Sequence, residues 1–251
     1  MNEFNGRVAI VTGASSGIGR TSALFYARDG AEGVVSDVNK DGGQETVQLI
    51  QAAGGEAIFV KTDVGNPSDC EELIKKTVEK FGRLDLACNN AGIGGESNLT
   101  ADYSVKGWQK VIEVNLSGVF YCMKYEIAEM LKTGGGAIVN MASILGQVGF
   151  ASAPAYVAAK HGVVGLTRDA ALEYAAKGIR INAIGPAFIS TPLISALESN
   201  PEAYNNLVSL HPLGRLGKPE EVAELVVWLS SNRASYITGS YYPIDGGYLA
   251  R

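Results

Sequence analysis

Residues 8–37 read as strand, glycine-rich turn, helix and strand, and that order constrains everything after it. Val8–Thr12 is a β-rich apolar run between Gly6 and Gly13, and 33–37 is a second one. Short apolar runs bounded by glycine suit buried strands. Between them, Gly13-Ala14-Ser15-Ser16-Gly17-Ile18-Gly19 opens a helical pattern that lasts to about Asp29. A strand–helix–strand crossover is right-handed and leaves its two strands parallel. Parallel strands need helices over both faces of the sheet. The rest of the chain supplies them. Helical patterns at 41–53, 67–81, 100–132 (two stretches), 154–177 and 219–231 alternate with strand patterns at 56–62, 84–88, 137–142, 179–184 and 241–244. The expected fold class is α/β, a single doubly wound domain over 1–251 with a seven-stranded parallel sheet. No linker or composition shift divides it, and the irregular stretch at about 188–212 reads as an insert.

Composition narrows the function classes. Hydrophobic residues are 46% and charged residues 19%, which excludes a disordered chain. The net charge of −5 argues against a nucleic-acid surface. No apolar run approaches the ~20 residues of a membrane span, and Met1–Arg7 lacks the basic and apolar parts of a secretory signal. The expected location is therefore cytoplasmic, with no membrane partner. Cys70, Cys88 and Cys122 are far apart and show no zinc spacing, so no metal is expected.

The turn after the first strand has the form of a phosphate cradle. Gly13 permits a tight turn, Gly17 lets backbone approach a pyrophosphate, and Gly19 allows close packing of the helix. The helix start offers free N–H groups and partial positive charge. Ser16 and Ile18, within the same turn, are expected cofactor contacts. Three glycines in a turn are weak evidence alone, but here they follow a strand and open a helix. Asp37 comes 18 residues after Gly19, near the ~20 expected for a ribose-binding carboxylate. It would repel a 2′-phosphate, and neither Ser15, Ser16, Ser36 nor Val38 supplies a cation. The alternative for Asp37 is a solvent-facing turn residue.

A second cluster lies at 143–160. Ser143 follows an apolar strand pattern, and Tyr156 and Lys160 fall four apart in an Ala-rich helical run. That spacing puts them about 6 Å apart on one face. Tyrosine ionises near pH 10, and a neighbouring ammonium lowers that value. Such pairs also recur by chance as surface residues. His161 turns away from this face and is expected to pack or meet solvent; His211, before Pro212, fits a lid, a subunit contact or a substrate contact equally.

Taken in order, these pieces resemble the single-domain branch of the short-chain dehydrogenase/reductase family over essentially the whole chain. The matching residues are Thr12-Gly13-x3-Gly17-Ile18-Gly19, Asp63-Val64, Asn89-Asn90-Ala91-Gly92, Asn115, Ser143, Tyr156-x3-Lys160, Asn182-Ala183-x2-Pro186 with Thr191 beyond it, and Ile244-Asp245-Gly246-Gly247. The resemblance implies a Rossmann fold that binds NAD(H), with Asp63 and Val64 flanking the adenine. Asn90, Ala91 and Gly92 would brace the cofactor, and Pro186, Ile189 and Thr191 would meet the nicotinamide. It implies hydride transfer between a secondary alcohol and the nicotinamide. Tyr156 would handle the proton, Lys160 would lower the Tyr156 pKa and hold the nicotinamide ribose, and Ser143 would bind the substrate oxygen. Asn115 would distort its helix and support a water next to Lys160. Ala187 departs from the glycine usual after the proline. A homotetramer built on 100–132, 154–177 and the C-terminal segment is also implied.

Three segments are expected to surround the substrate. Leu145, Gln147, Phe150 and Phe188 head the candidate lining, with Val148, Leu193, Ile194, Leu197 and Leu207 as further apolar residues and Glu96 as a polar one. This balance favours a hydrophobic or cyclic secondary alcohol or ketone. A 3-oxoacyl thioester reductase and a non-enzymatic dinucleotide sensor are the rival readings. Asp37 speaks weakly against the first, because biosynthetic reductases usually prefer NADPH. The intact Ser143, Tyr156, Lys160 and Asn115 speak against the second.

Overall fold

The computed structural model describes residues 3–195 and 199–250. Seven parallel strands form one sheet: β1 (Val8–Thr12), β2 (Glu32–Asp37), β3 (Ala57–Lys61), β4 (Leu86–Asn89), β5 (Gly136–Met141), β6 (Ile179–Pro186) and β7 (Tyr241–Ile244). Their order is β3-β2-β1-β4-β5-β6-β7. This is the expected Rossmann-like sheet, and its order reverses between β1 and β4. In such sheets ligands bind beyond the carboxyl ends, at the reversal.

Alternation along each strand splits the core into two layers. Ala9, Val11, Leu86, Cys88 and Val139 face one way, with Ala23 and Tyr26 of α1 (Gly17–Arg28), Ile50 of α2 (Lys40–Ala52) and Val222 and Val226 of α8 (Pro219–Ser230). Val8, Ile10, Ala87, Ile138 and Ile181 face the other way. They meet Leu73 of α3 (Pro67–Phe81), Met123 of α5 (Gly118–Met130) and Val163 of α6 (Pro154–Tyr174).

The differences from the expected boundaries have local causes. β4 begins at Leu86 rather than Leu84, because Asp85 uses its carboxylate to cap the Val8 N–H at 2.9 Å. α6 ends at Tyr174, and 175–177 tighten into a 3-10 turn that Gly178 closes at φ 82°. Residues 100–132 hold α4 (Val105–Ile112) and α5, joined by a π-turn at Glu113–Ser117. The insert contributes a 3-10 turn at Pro192–Ile194 and α7 (Pro201–Ser209). Leu197, expected in the substrate lining, lies outside the described residues. Among the described residues, no helix is long and apolar enough to cross a membrane.

Candidate active site

Two adjoining cavities open at the carboxyl ends of the strands. The first, of about 430 Å³, is lined by Gly13, Ser16, Gly17, Ile18 and Gly19 after β1 and Asp37 at the end of β2. Asp63 and Val64 after β3, Asn90, Ala91 and Gly92 after β4, and Thr191 complete the expected part of its wall. The second, of about 330 Å³, is lined by Ser143, Leu145, Phe150, Tyr156, Lys160, Pro186, Phe188, Ile189 and Thr191, among others. Ile18, Asn90, Gly92, Thr191 and Leu193 border both.

The cradle is built around Asn90. Its Nδ2 donates to the carbonyls of Thr12 at 2.9 Å and Gly13 at 3.1 Å, so the β4 turn fixes the β1 turn. Gly13 has φ 65°, and a Cβ there would stand 2.8 Å from the Ala91 Cα. A Cβ on Gly19 would run into the Gly13 carbonyl oxygen and Asn90 Nδ2. Gly19 therefore admits the helix against the turn itself, where close approach to the sheet was expected. This cradle, which a side chain at Gly13 or Gly19 would block, fits a dinucleotide pyrophosphate at a helix start.

Asp37 is held rather than free. Its Oδ2 accepts from the Ser15 N–H at 2.9 Å and its Oδ1 from the Asn39 N–H at 2.9 Å. Arg20 approaches from α1, which sequence reading missed because only folding brings it beside Glu45 and Thr46. Its guanidinium donates to the Ser15 carbonyl at 2.5 Å, to Thr46 Oγ1 at 3.0 Å and to Glu45 at 2.6 Å. Asp63 turns its Oδ1 to the Gly65 N–H at 2.9 Å, while Asn66 caps α3.

Asn115 is fully buried at the centre of the π-turn. Its Oδ1 accepts from the Ile93 N–H and its Nδ2 donates to the Ile93 carbonyl, both at 2.8 Å. A Cβ on Gly92 would lie 3.3 Å from Asn115 Oδ1 and 3.8 Å from Lys160 Nζ, so the three residues converge. π-turns inside α-helices concentrate at functional sites.

Ser143 follows β5 and starts the 3-10 turn Ile144–Gly146, where its Oγ accepts from the Leu145 N–H at 3.2 Å. Tyr156 and Lys160 lie on the first turns of α6. The Lys160 Nζ sits 5.4 Å from the Tyr156 ring centre and donates to the Met141 carbonyl at 2.7 Å. The electrostatics differ from expectation. Burial pushes the Tyr156 phenol above its ordinary value, and its contact with Ser143 pulls the other way. Burial also holds the Lys160 ammonium down, to about 8. Burial of the phenol thus acts against the lowering expected from Lys160.

The structure corrects part of the expected substrate lining. Gln147 follows the 3-10 turn, is exposed, and does not border the cavity; Val148 and Leu207 do not border it either. Glu96 borders it but directs its carboxylate to the Ser104 hydroxyl at 2.7 Å and to Asn98 at 3.4 Å. Those bonds hold its carboxyl below the usual range. His161 is exposed. Sequence reading missed Tyr241, whose hydroxyl donates to the Ser143 carbonyl at 2.9 Å across 98 residues, a separation at which no local pattern exists. It also missed Ser152, at the cavity rim with φ 66°. Among the described residues, no group of three or more His, Cys, Asp or Glu side chains could hold a metal ion.

A doubly wound sheet with a glycine cradle and a Ser–Tyr–Lys wall at its strand ends defines a class, the nicotinamide-dependent oxidoreductases. Known proteins place the chain within it. A family model described as enoyl-(acyl carrier protein) reductase matches residues 13–249. A cyclohexanol dehydrogenase from Acinetobacter sp. (strain SE19) is 52% identical over 250 residues, covering 100% of this chain and 98% of that one. A cis-4-hydroxycyclohexanecarboxylate dehydrogenase from Sinomonas cyclohexanicum is 42% identical, covering 98% of each. The crystal structure of levodione reductase superposes with a TM-score of 0.95 at 38% identity, covering 98% of this chain and 99% of that one. The chain belongs to the short-chain dehydrogenase/reductase family and is an oxidoreductase of alcohol dehydrogenase type.

Proposed function

We propose that the protein oxidises secondary alcohols on a carbocyclic ring, and reduces the matching ketones, with NAD(H). The observation that carries this reading is that the cavity holding Ser143, Tyr156 and Lys160 shares Ile18, Asn90, Gly92, Thr191 and Leu193 with the cavity of the glycine cradle. The cavity that holds these three is walled mainly by apolar side chains, and Lys160, its one cation among the described residues, bonds the Met141 carbonyl. That suits a neutral ring better than an anionic chain. The printed names of the cyclohexanol and hydroxycyclohexanecarboxylate dehydrogenases support the same substrate class.

When bound, the nicotinamide supplies or accepts the hydride. Tyr156 gives its proton to the carbonyl oxygen in reduction, and as phenolate takes the hydroxyl proton in oxidation. Ser143 donates a hydrogen bond to the same oxygen and stabilises its developing charge. Lys160 holds the nicotinamide ribose and favours the phenolate. Asn115 fixes the 90–93 turn through Ile93 and supports a water-linked proton path to Lys160. Asp37 takes the adenosine ribose hydroxyls. Lys110, the one cation lining the dinucleotide cavity among the described residues, lies 3.8 Å from Asp63, so the preference is for NAD(H) over its phosphorylated form.

The same reading places the protein in the cytoplasm as a homotetramer and as one domain. Exposed Val105 and Trp108 on α4 and Phe120 on α5 support the assembly. Light scattering that returns a monomer removes it.

The test is nicotinamide absorbance with NAD(H) and NADP(H) against cyclic alcohols and ketones, sugar alcohols and 3-oxoacyl thioesters. Turnover is expected with cyclic substrates and NAD(H). Preferred turnover of a thioester, or of NADPH, contradicts the reading, and tight NADH binding without any turnover favours a sensor.

A further inference from the structure

We propose that His211 is a specificity-determining residue of the substrate site, acting through Phe188. The inference rests on the reading of the 330 Å³ cavity as the place of the ring substrate. Phe188, with Ala187 and Ile189, lines both that cavity and a second one of about 90 Å³ behind it. On the substrate side, Phe188 meets the Phe150 ring at 5.9 Å between centroids. On the other side, the His211 ring stands edge-on to it, 5.9 Å away at 83°. Tyr248 backs both, at 5.6 Å from His211 and 6.4 Å from Phe188.

His211 is a fixed support. It is 3% exposed. Its Nδ1 lies 2.7 Å from the Leu207 carbonyl oxygen, and its backbone N–H donates to Val208 at 2.9 Å. A carbonyl only accepts, so Nδ1 carries the proton and points at the last turn of α7. The ring therefore registers the insert helix against the substrate wall. Its Nε2 has no protein partner. His211 borders the rear cavity together with Arg215, Glu221 and Asp245. A buried nitrogen without a partner costs stability that an apolar side chain would not. What the histidine offers in return is a ring edge held at a fixed angle. Phe188 has space behind it, and the edge-on contact decides whether it uses that space. Loss of the ring edge lets Phe188 withdraw and widens the substrate cavity on the Phe150 side, far from the glycine cradle.

The experiment compares wild type, His211→Leu, His211→Phe and His211→Asn on cyclohexanol and on the wider cyclododecanol. The readouts are kcat, KM, NADH affinity and Tm. Wild type is expected to prefer cyclohexanol. His211→Leu is expected to reduce that preference about tenfold, the size set by one aromatic edge contact. The change lies in KM, with NADH affinity unmoved. His211→Phe, which keeps a ring edge, restores the preference, and His211→Asn, which keeps only a donor for Leu207, does not. Equal changes for both alcohols in His211→Leu, or rescue by Asn in place of Phe, overturn the proposal. Should His211→Leu fail to fold, an unchanged preference in His211→Asn overturns it as well. A wild type active on cyclohexanol with an unmoved preference in the variants contradicts this inference alone. A wild type that turns over neither alcohol contradicts the proposed function and this inference together.

Discussion

The Lys160 Nζ donates to the carbonyl of Met141, the last residue of β5, at 2.7 Å. That bond anchors the amine where α6 meets the end of the sheet, and it leaves the ammonium in a desolvated place. Burial lowers its pKa from 10.5 to about 8. The folded state thus binds this proton less tightly than the unfolded chain. Below pH 8 the fold carries the full cost, which fades as pH rises toward 10.5.

The first expectation follows from that sign. Lys160→Met removes a penalty worth about 3 kcal/mol at pH 7 and a hydrogen bond worth about 1, so stability rises by about 2 kcal/mol. Turnover falls at the same time by about 100-fold or more. Urea unfolding at pH 7 and pH 10, at equal protein concentration, checks this. The gain is expected to shrink at the higher pH.

A second buried group gives the opposite pH trend. Glu126 of α5 accepts from Asn89 Nδ2 at 3.0 Å, and Asn89 also reaches Asn140 at 3.1 Å. Its other oxygen, Oε1, and Asn89 Oδ1 have no protein partner. Burial raises the Glu126 pKa from 4.5 to about 7, with Asn89 opposing. An acid raised in the fold contributes stability that is full below 4.5 and is lost as pH rises through 7. Glu126→Gln is expected to be near neutral at pH 4.5 and to stabilise by up to about 3 kcal/mol at pH 8. Melting temperatures at the two values decide it, and an equal shift at both contradicts it.

Asn115 links the π-turn to the 90–93 turn through two bonds to Ile93. Asn115→Ala leaves both Ile93 backbone groups unpaired and is expected to cost about 2–3 kcal/mol. Turnover is expected to fall more than NADH affinity. Equal losses would mean that Asn115 serves cofactor binding alone.

Asp37→Ser tests the dinucleotide preference. The carboxylate is fixed by Ser15 and Asn39, and its removal takes away both the ribose acceptors and the repulsion of a 2′-phosphate. The ratio of NADH to NADPH efficiency is expected to fall about tenfold or more, the worth of one or two charged hydrogen bonds. Steady-state kinetics with both cofactors measures it.

The sheet was legible in the sequence because its signals are local. Val8–Val11 is apolar at every position, and glycines or prolines mark the turns around the elements. The cradle glycines and the Tyr156–Lys160 pair were legible because their spacing along the chain is also their spacing in space, and Asp37 because a strand–helix–strand crossover of fixed hand returns the end of β2 to the cradle. What escaped depends on distant partners. Tyr241 reaches Ser143, Arg20 reaches Glu45 and Thr46, and Glu126 reaches Asn89, none by a periodic pattern. Gln147, expected as a polar contact in the segment after Ser143, is left in solvent by the 3-10 turn before it. Burial of the phenol also escaped, because charge proximity shows in sequence and desolvation does not.

The central claim is that Tyr156 moves the proton at the substrate oxygen. Its most direct test is the turnover of Tyr156→Phe on cyclohexanol with NAD, beside its NADH affinity. The variant is expected to fold, to bind NADH as wild type does, and to lose about 1,000-fold in kcat. A kcat close to wild type would contradict the claim.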